Sequence, residues 1–398
     1  MATEAIDTES TDTESTDTES TDTEAQARAF RTELATWLDA HLTPDVVDAG
    51  KGGPDVDGNL ELLRRWNATL ADAGWAAPAW PKEFGGRDAS IAEQLAWLEE
   101  MSAAGAPGAV NVIGVSNIAP AIMALGTPDQ QERFLAPMLR GDEIWSQGMS
   151  EPDAGSDLAS LRTAARIEGD VFVVNGQKTW NSLGRHADWC QLYVRTDPEA
   201  PKHKGLSCLL VDMKTPGIEV RPLKTMAGEL TFSELFFTDV EVPVENLLGP
   251  LHGGWGVAMT TLSHERAGVA RLHLSISARL DKLLDDAKGT AAIADPVLRD
   301  RLMDVYARVA CMRWTTTREL EAIGQGRQPS ASMGSVAKLM WSGIEQDLAE
   351  LAVDLLGMEA LLGPWGRNLA ASRQTSIAGG TSEINRNILA EHGLGLPR

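Results

Sequence analysis

The sequence predicts an α+β fold with an N-terminal helical domain, a central antiparallel β domain and a C-terminal four-helix bundle. Two observations predict it. Apolar residues recur every three or four positions up to about residue 145, every second position from there to about 250, and every three or four again to the end. The chain is also long enough, at 398 residues with 43% apolar and 23% charged, to bury more than one core.

Each element follows from its own stretch. Residues 1 to 24 repeat TDTES and carry nine acids, no base and almost nothing apolar, so a disordered acidic tail is expected there. The N-terminal helical domain is expected over 25–145, with helices over 26–40, 59–74 and 90–104. Thr127-Pro128-Asp129 reads as a further helix start, with Thr as cap and Pro in the first turn. The β domain is expected over 146–250. VFVVNGQKTW carries an Asn175-Gly176 hairpin signal, and CQLYV, GLSCLLVD, IEVRPL and SELFFTDVEV follow as short strands. The helical period returns over 251–398, with a long helix in the proline-free segment 251–295 and others over 296–323 and 331–356.

Composition narrows the function classes. Net charge is −22, and without the tail 48 acids still face 35 bases, which argues against a nucleic-acid surface. No apolar run reaches the length of a membrane span, and the acidic, polar start does not read as a secretory leader. Cys190, Cys208 and Cys311 are scattered, and neither they nor the seven histidines show metal-ligand spacing. A cytoplasmic protein without a metal is expected. Gly253-Gly254-Trp255-Gly256 does not sit in a βαβ unit, so it is not a dinucleotide loop. GMSEP lacks the second glycine of a serine-hydrolase elbow.

Three stretches carry candidate chemistry. MSEPDAGSDLASLRT, at 149–163, combines glycine with serine just before the β domain, a pattern of a ligand loop and equally of a plain polar loop. AGGTSEINRN, at 378–387, places Thr381 as the cap of a helix start. In LSHERAGVAR, Glu265 falls on the apolar stripe of Leu262, Val269, Leu272, Ile276, Leu280 and Leu283, and no cation stands three or four positions away. A buried carboxylate without a partner is costly, so either a distant cation meets it or it has a chemical task.

Together these stretches resemble the acyl-CoA dehydrogenase family, in order and over about residues 25–398. MSEPDAGSD is similar to the family's flavin loop and NGQKTWNSLG to its β-domain hairpin. DVEVPVENLLG is similar to the exit from that domain, GGTSEINRN to the C-terminal flavin and substrate segment, and GWAAPAWPKEFGG to an N-terminal signature. The resemblance implies FAD and a defined reaction. A base takes the α-proton of an acyl-CoA thioester while the β-hydrogen leaves as hydride, giving the trans-2-enoyl-CoA. Electrons then pass to an electron-transfer flavoprotein. Carried over by position, Gln147, Met149, Ser150, Gly155, Ser156, Trp180 and Ser182 contact the flavin, and Thr381 and Glu383 contact its diphosphate and ribose region. Ser156, Ser263 and Arg266 lie near the acyl-CoA.

Two departures shape the expectation. Many members carry the catalytic glutamate directly before the GT of the C-terminal motif, where this chain has Gly379. A second branch places the base on the long helix directly before an arginine, and Glu265-Arg266 resembles that arrangement. Glu265 is therefore the expected base, with the N–H of Gly379 polarising the thioester oxygen. Burial raises a glutamate above its ordinary pKa of about 4.3 and suits it to the task. The missing side chain at 379 implies a branched or bulky acyl group. The family's Arg-x-x-Phe-Gly contact to a neighbouring subunit's FAD is absent from DDAKGTAAIADPVLRDR, and Asp354 and Met358 replace a common glutamine and glycine. A homodimer or homotetramer is expected, with a mixed oligomer as the alternative. An oxidase or monooxygenase on the same scaffold, or a non-catalytic subunit, stays open from sequence.

Overall fold

A computed structural model describes residues 13–397, apart from 57, 268, 325–326 and 328–331; the side chains of 13–23, 263–271 and 324 also lie outside the description. The first region is helical: α1 (Thr13–His41), α2 (Pro44–Gly52), α3 (Asn59–Asp72), α4 (Ile91–Ala103), α5 (Ala119–Leu125) and α6 (Pro128–Arg140). Helix α1 begins inside the acidic repeat, where a disordered tail is expected. Phe30, Leu34 and Leu38 anchor it in the core, and helix propagates from such a packed segment at little cost per residue. Residues 1–12 lie outside the described residues.

Helices α4 and α6 each start with a reciprocal capping box, Ser90 with Glu93 and Thr127 with Gln130. Gln130 does more than cap. Its amide nitrogen donates to the carbonyls of Glu245 (2.8 Å) and Leu247 (3.0 Å), fastening α6 to the exit of the β domain. Phe134 of α6 packs edge-on against Trp145 and Trp189, whose rings stack 5.6 Å apart, so the two domains share one aromatic cluster.

The β domain is an eight-stranded sheet: β1 (Trp145–Gly148), β2 (Ala164–Glu168), β3 (Val171–Ser182), β4 (Trp189–Arg195), β5 (Leu206–Asp212), β6 (Ile218–Leu223), β7 (Phe232–Pro243) and β8 (Leu247–Leu248). The order is β6-β7-β3-β2-β4-β5-β8, mostly antiparallel, with β1 added parallel to β4. The expected turn at Asn175-Gly176 is instead a register shift within β3. The Asn175 side chain bonds across to Asp239 of β7 rather than turning the chain. The reversal falls earlier, between Glu168 and Val171, with Gly169 at φ 65°.

The C-terminal region holds α7 (Gly254–Ala267), α8 (Val269–Ala287), α9 (Pro296–Gly324), α10 (Met333–Leu356), α11 (Pro364–Ser372) and α12 (Ser382–Ile388). Ile276, Leu280 and Leu283 of the expected stripe are buried with Leu302, Val305 and Met312 of α9 and Ile344, Leu348 and Leu351 of α10. Helix α7 belongs elsewhere. Its Val257 and Ala258 join the core shared by the N-terminal domain and the sheet. Among the described residues, no helix is long and apolar enough to cross a membrane.

Gly254 explains one sequence motif. A Cβ there would come within 2.6–2.8 Å of the Ser207 backbone, so the head of α7 rests directly on β5. Gly254→Ala is expected to destabilise the protein by about 1–3 kcal/mol through overpacking, read as a lower urea midpoint at unchanged m-value.

Candidate active site

Strand β1 carries Gln147 and runs into the loop of Met149, Ser150, Gly155 and Ser156. That loop is held at several points along its length. The Thr179 amide donates to the Ser150 carbonyl at 2.9 Å, and Glu151 and Ala154 exchange backbone bonds of 3.0 and 3.1 Å. Arg195 of β4 donates to the carbonyls of Ala159 (2.6 Å) and Leu161 (3.2 Å).

The strongest hold is a buried ion pair. Lys178 of β3, 0% exposed, donates to the Glu151 carboxylate at 2.8 Å and to the Met149 carbonyl at 3.0 Å. Glu151 also accepts the amides of Arg162 (2.6 Å) and Thr163 (2.8 Å) at the far end of the loop. One carboxylate thus closes both ends of the loop onto one strand. Burial pushes the Lys178 ammonium down to about 8 against the pull of Glu151. For Glu151, burial acts to raise the pKa, but the Lys178 charge and the bonds from Lys178, Thr163 and Arg162 outweigh it and hold the carboxyl below its ordinary value. A cleft of about 300 Å³ opens beside this pair, lined by Glu151, Ala154, Ser160, Arg162, Gly176 and Gln177.

Trp180 and Ser182 lie on β3 next to this loop. Trp180 sits at φ 62° within an irregular stretch of the β3–β7 register, and its indole is 61% exposed, edge-on to Phe232 at 5.9 Å. A large aromatic face turned outward beside a pinned Gly/Ser loop is a surface that a flat ring covers well. Asn181 donates to the Gln147 carbonyl at 2.5 Å, while its own carbonyl oxygen and the Ser233 hydroxyl are buried without protein partners. These unused polar atoms beside an exposed indole fit a polar aromatic cofactor such as a flavin.

The structure therefore brings Gln147, Met149, Ser150, Trp180 and Ser182 together, with Gly155 and Ser156 exposed on the loop. It does not bring the C-terminal candidates to them. Among the described residues, no hydrogen bond or ion pair joins 378–387 to the β domain, and the segment packs on α10. Gly379 is exposed at φ 65°, where a side chain would be strained. Thr381 caps α12 by accepting the Ile384 amide at 3.2 Å, and Glu383 is exposed. The side chains of Ser263, Glu265 and Arg266 lie outside the described residues. The α7 backbone is helical through 265 and 266. Asp354, at the position of the common glutamine, is taken up by Arg301 at 2.7 Å, and Met358 is exposed.

Sequence reasoning missed the Lys178–Glu151 pair, although a lysine inside the strand pattern of VFVVNGQKTW is a visible signal. It also missed Gln191, Tyr193 and Thr261, whose strand and helix positions read simply as core.

A helical domain, a mostly antiparallel sheet and a second helical region, with an exposed indole beside a pinned loop on the sheet, define an α+β scaffold with a candidate cofactor surface. Comparison with known proteins places the chain within that class. It matches the acyl-CoA dehydrogenase N-terminal domain over 24–142, the middle domain over 146–240 and the C-terminal domain over 252–394. It is 40% identical over 381 residues to the acyl-CoA dehydrogenase IpdE1 of Mycobacterium tuberculosis, covering 93% of this chain and 97% of that one. Among solved structures it superposes on the Tcur3481-Tcur3483 steroid ACAD with a TM-score of 0.83 at 30% identity, covering 94% of this chain and 98% of the other. The ChsE4-ChsE5 complex of Mycobacterium tuberculosis gives a TM-score of 0.79 at 34% identity, covering 94% and 98%. The chain belongs to the acyl-CoA dehydrogenase family, and it is an FAD-dependent oxidoreductase acting on CH–CH donors.

Glu151→Gln strands a buried ammonium and is expected to cost about 3–5 kcal/mol at neutral pH, measured by denaturant unfolding. Adding Lys178→Met should recover most of that loss. The pH sign is fixed by the lowered carboxyl: its stabilisation is full above the ordinary value of 4.5 and is lost as pH falls through the depressed one. The gap between wild type and Glu151→Gln should therefore narrow in acid.

Proposed function

We propose that this enzyme dehydrogenates a branched or bulky acyl-CoA to the trans-2-enoyl-CoA, with Glu265 as the base that takes the α-proton. The outward-turned Trp180 beside the pinned 149–163 loop is the observation that carries the reading, because it supplies the face against which cofactor and thioester stack. FAD, when bound, supplies the acceptor for the β-hydrogen as hydride. Gln147, Met149, Ser150, Gly155, Ser156, Trp180 and Ser182 hold its ring and ribityl side, and Thr381 and Glu383 its diphosphate and ribose region. The N–H of Gly379 donates to the thioester oxygen as negative charge develops there. Ser156, Ser263 and Arg266 orient the acyl-CoA. Glycine at 379 leaves room for bulk, and the likeness to a protein titled a steroid ACAD supports a polycyclic or branched acyl group.

The electrons pass to an electron-transfer flavoprotein. The cross-subunit half of the cofactor site comes from a different partner chain, because the Arg-x-x-Phe-Gly contact is missing and Asp354 is committed to Arg301. The likeness to a two-component complex, ChsE4-ChsE5, supports this.

Glu265→Gln is expected to keep its flavin and lose turnover by roughly 10³-fold or more; near-normal rates would place the base elsewhere. In a side-by-side assay, kcat/KM should favour acyl-CoAs with branched or polycyclic acyl groups, and a preference for short unbranched chains defeats the substrate reading. Purified alone, the chain should hold less than one FAD per subunit. A fully flavinylated homo-oligomer overturns the need for a partner.

A further inference from the structure

A chain of hydrogen bonds, buried at its α7 end, runs from the strand that carries Gln147 to α7. Asn117, in the π-helical turn Gly114–Ile118, donates to the Gln147 side chain at 3.5 Å. Gln147 of β1 donates to Gln191 of β4 at 3.4 Å, and Gln191 donates to the Thr261 hydroxyl of α7 at 3.3 Å. The Tyr193 hydroxyl meets the same Thr261 oxygen at 3.2 Å. Gln191 and Thr261 are 0% exposed and Tyr193 is 1% exposed. Strands β1 and β4 hold Gln147 and Gln191 directly opposite each other.

This chain is a poor way to gain stability alone. Three polar side chains are withdrawn from water, and apolar residues of similar shape would fill the same space with nothing left to satisfy. What a buried polar hub adds is register. An apolar contact tolerates sliding, whereas a hydroxyl shared between an amide and a phenol has one favourable position. The hub fixes α7 along its axis. Gly254 already rests the head of that helix on β5. Thr261 is the second attachment, and position 265 follows one helical turn later on the same face. A π-helical turn at the other end of the chain is the local irregularity that often accompanies a functional site.

We propose that Thr261 is a positioning residue for proton abstraction: held by Gln191 and Tyr193, it sets the height of α7 relative to the strand that carries Gln147. The inference rests on the reading of Glu265 as base. Misplacing a reacting group by about 1 Å costs on the order of 10²-fold in rate, so a helix free to slide has a large effect without loss of fold.

The test uses the FAD-loaded enzyme in its native assembly, with Thr261→Val, Thr261→Ser, Gln191→Met and Glu265→Gln. Two readouts are taken, turnover and the exchange of α-hydrogens of phenylacetyl-CoA with D₂O followed by NMR. That thioester has no β-hydrogen to transfer, so exchange reports proton abstraction alone. Thr261→Val should retain FAD and keep KM near wild type, while kcat and the exchange rate both fall by about 10²-fold. Thr261→Ser restores both, and Gln191→Met, which breaks the same bond from the strand side, repeats the loss if the valine variant fails to fold. Exchange at the wild-type rate in Thr261→Val and Gln191→Met overturns the proposal. So does a loss that merely follows FAD content or the folded fraction and is not rescued by serine. Glu265→Gln separates the two readings: if it is inert while Thr261→Val is normal, only the positioning role falls, and if it exchanges freely, the base assignment falls and the positioning role with it.

Discussion

The buried pair of Lys178 and Glu151 holds the rest of the site in place. The 149–163 loop sinks Ala154, Ala159 and Leu161 into the core, and the ion pair ties its two ends to β3 on either side of those anchors. Here a carboxylate accepts two amides from the loop's end and a bond from the β3 ammonium, and the same ammonium also donates to the Met149 carbonyl at the loop's start. A buried ion pair is weak evidence of net stability, since desolvation offsets much of its attraction. Its contribution is to define one arrangement of the loop over the sheet.

Helix α7 depends on a related constraint. It begins on β5 through a glycine contact and shares its apolar face with the N-terminal domain, although by sequence it belongs to the C-terminal region. It is thus the element on which all three regions converge. The fastening of α6 to the β-domain exit by Gln130, and the stacked Trp145 and Trp189 against Phe134, make the neighbouring walls equally stiff. The junction is thus built from packed elements of all three regions.

The C-terminal helices are held differently. Their core is aliphatic, and their surface is laced with ion pairs such as Arg301–Asp354, Arg308–Asp347 and Arg373–Glu350. Such pairs contribute little each. Asp354 is one of these half-exposed partners and contributes little to stability. Gly379 is exposed and at positive φ, a backbone conformation that glycine adopts without strain.

Sequence period determined the three-region plan, because helices and strands space their buried residues differently, although the central strands β4 and β5 are buried on both faces and show no alternation. The Thr127 cap, the α8 stripe of Ile276, Leu280 and Leu283, and most strands were legible for this reason. Local signals failed where a distant partner competed. Asn175-Gly176 reads as a turn until Asp239 of β7 offers the asparagine a cross-strand bond, and the acidic repeat reads as unfolded until the packed part of α1 extends helix into it. Gly254 offers no local reason for its place until β5 lies beneath it. The site divides in the same way. Residue types along the 149–163 loop suited a ligand loop and a plain polar loop equally, and only tertiary structure joined Lys178 to Glu151 and Gln191 to Thr261. Those pairs stand 27 and 70 residues apart in the chain, and no periodicity encodes which buried donor meets which acceptor.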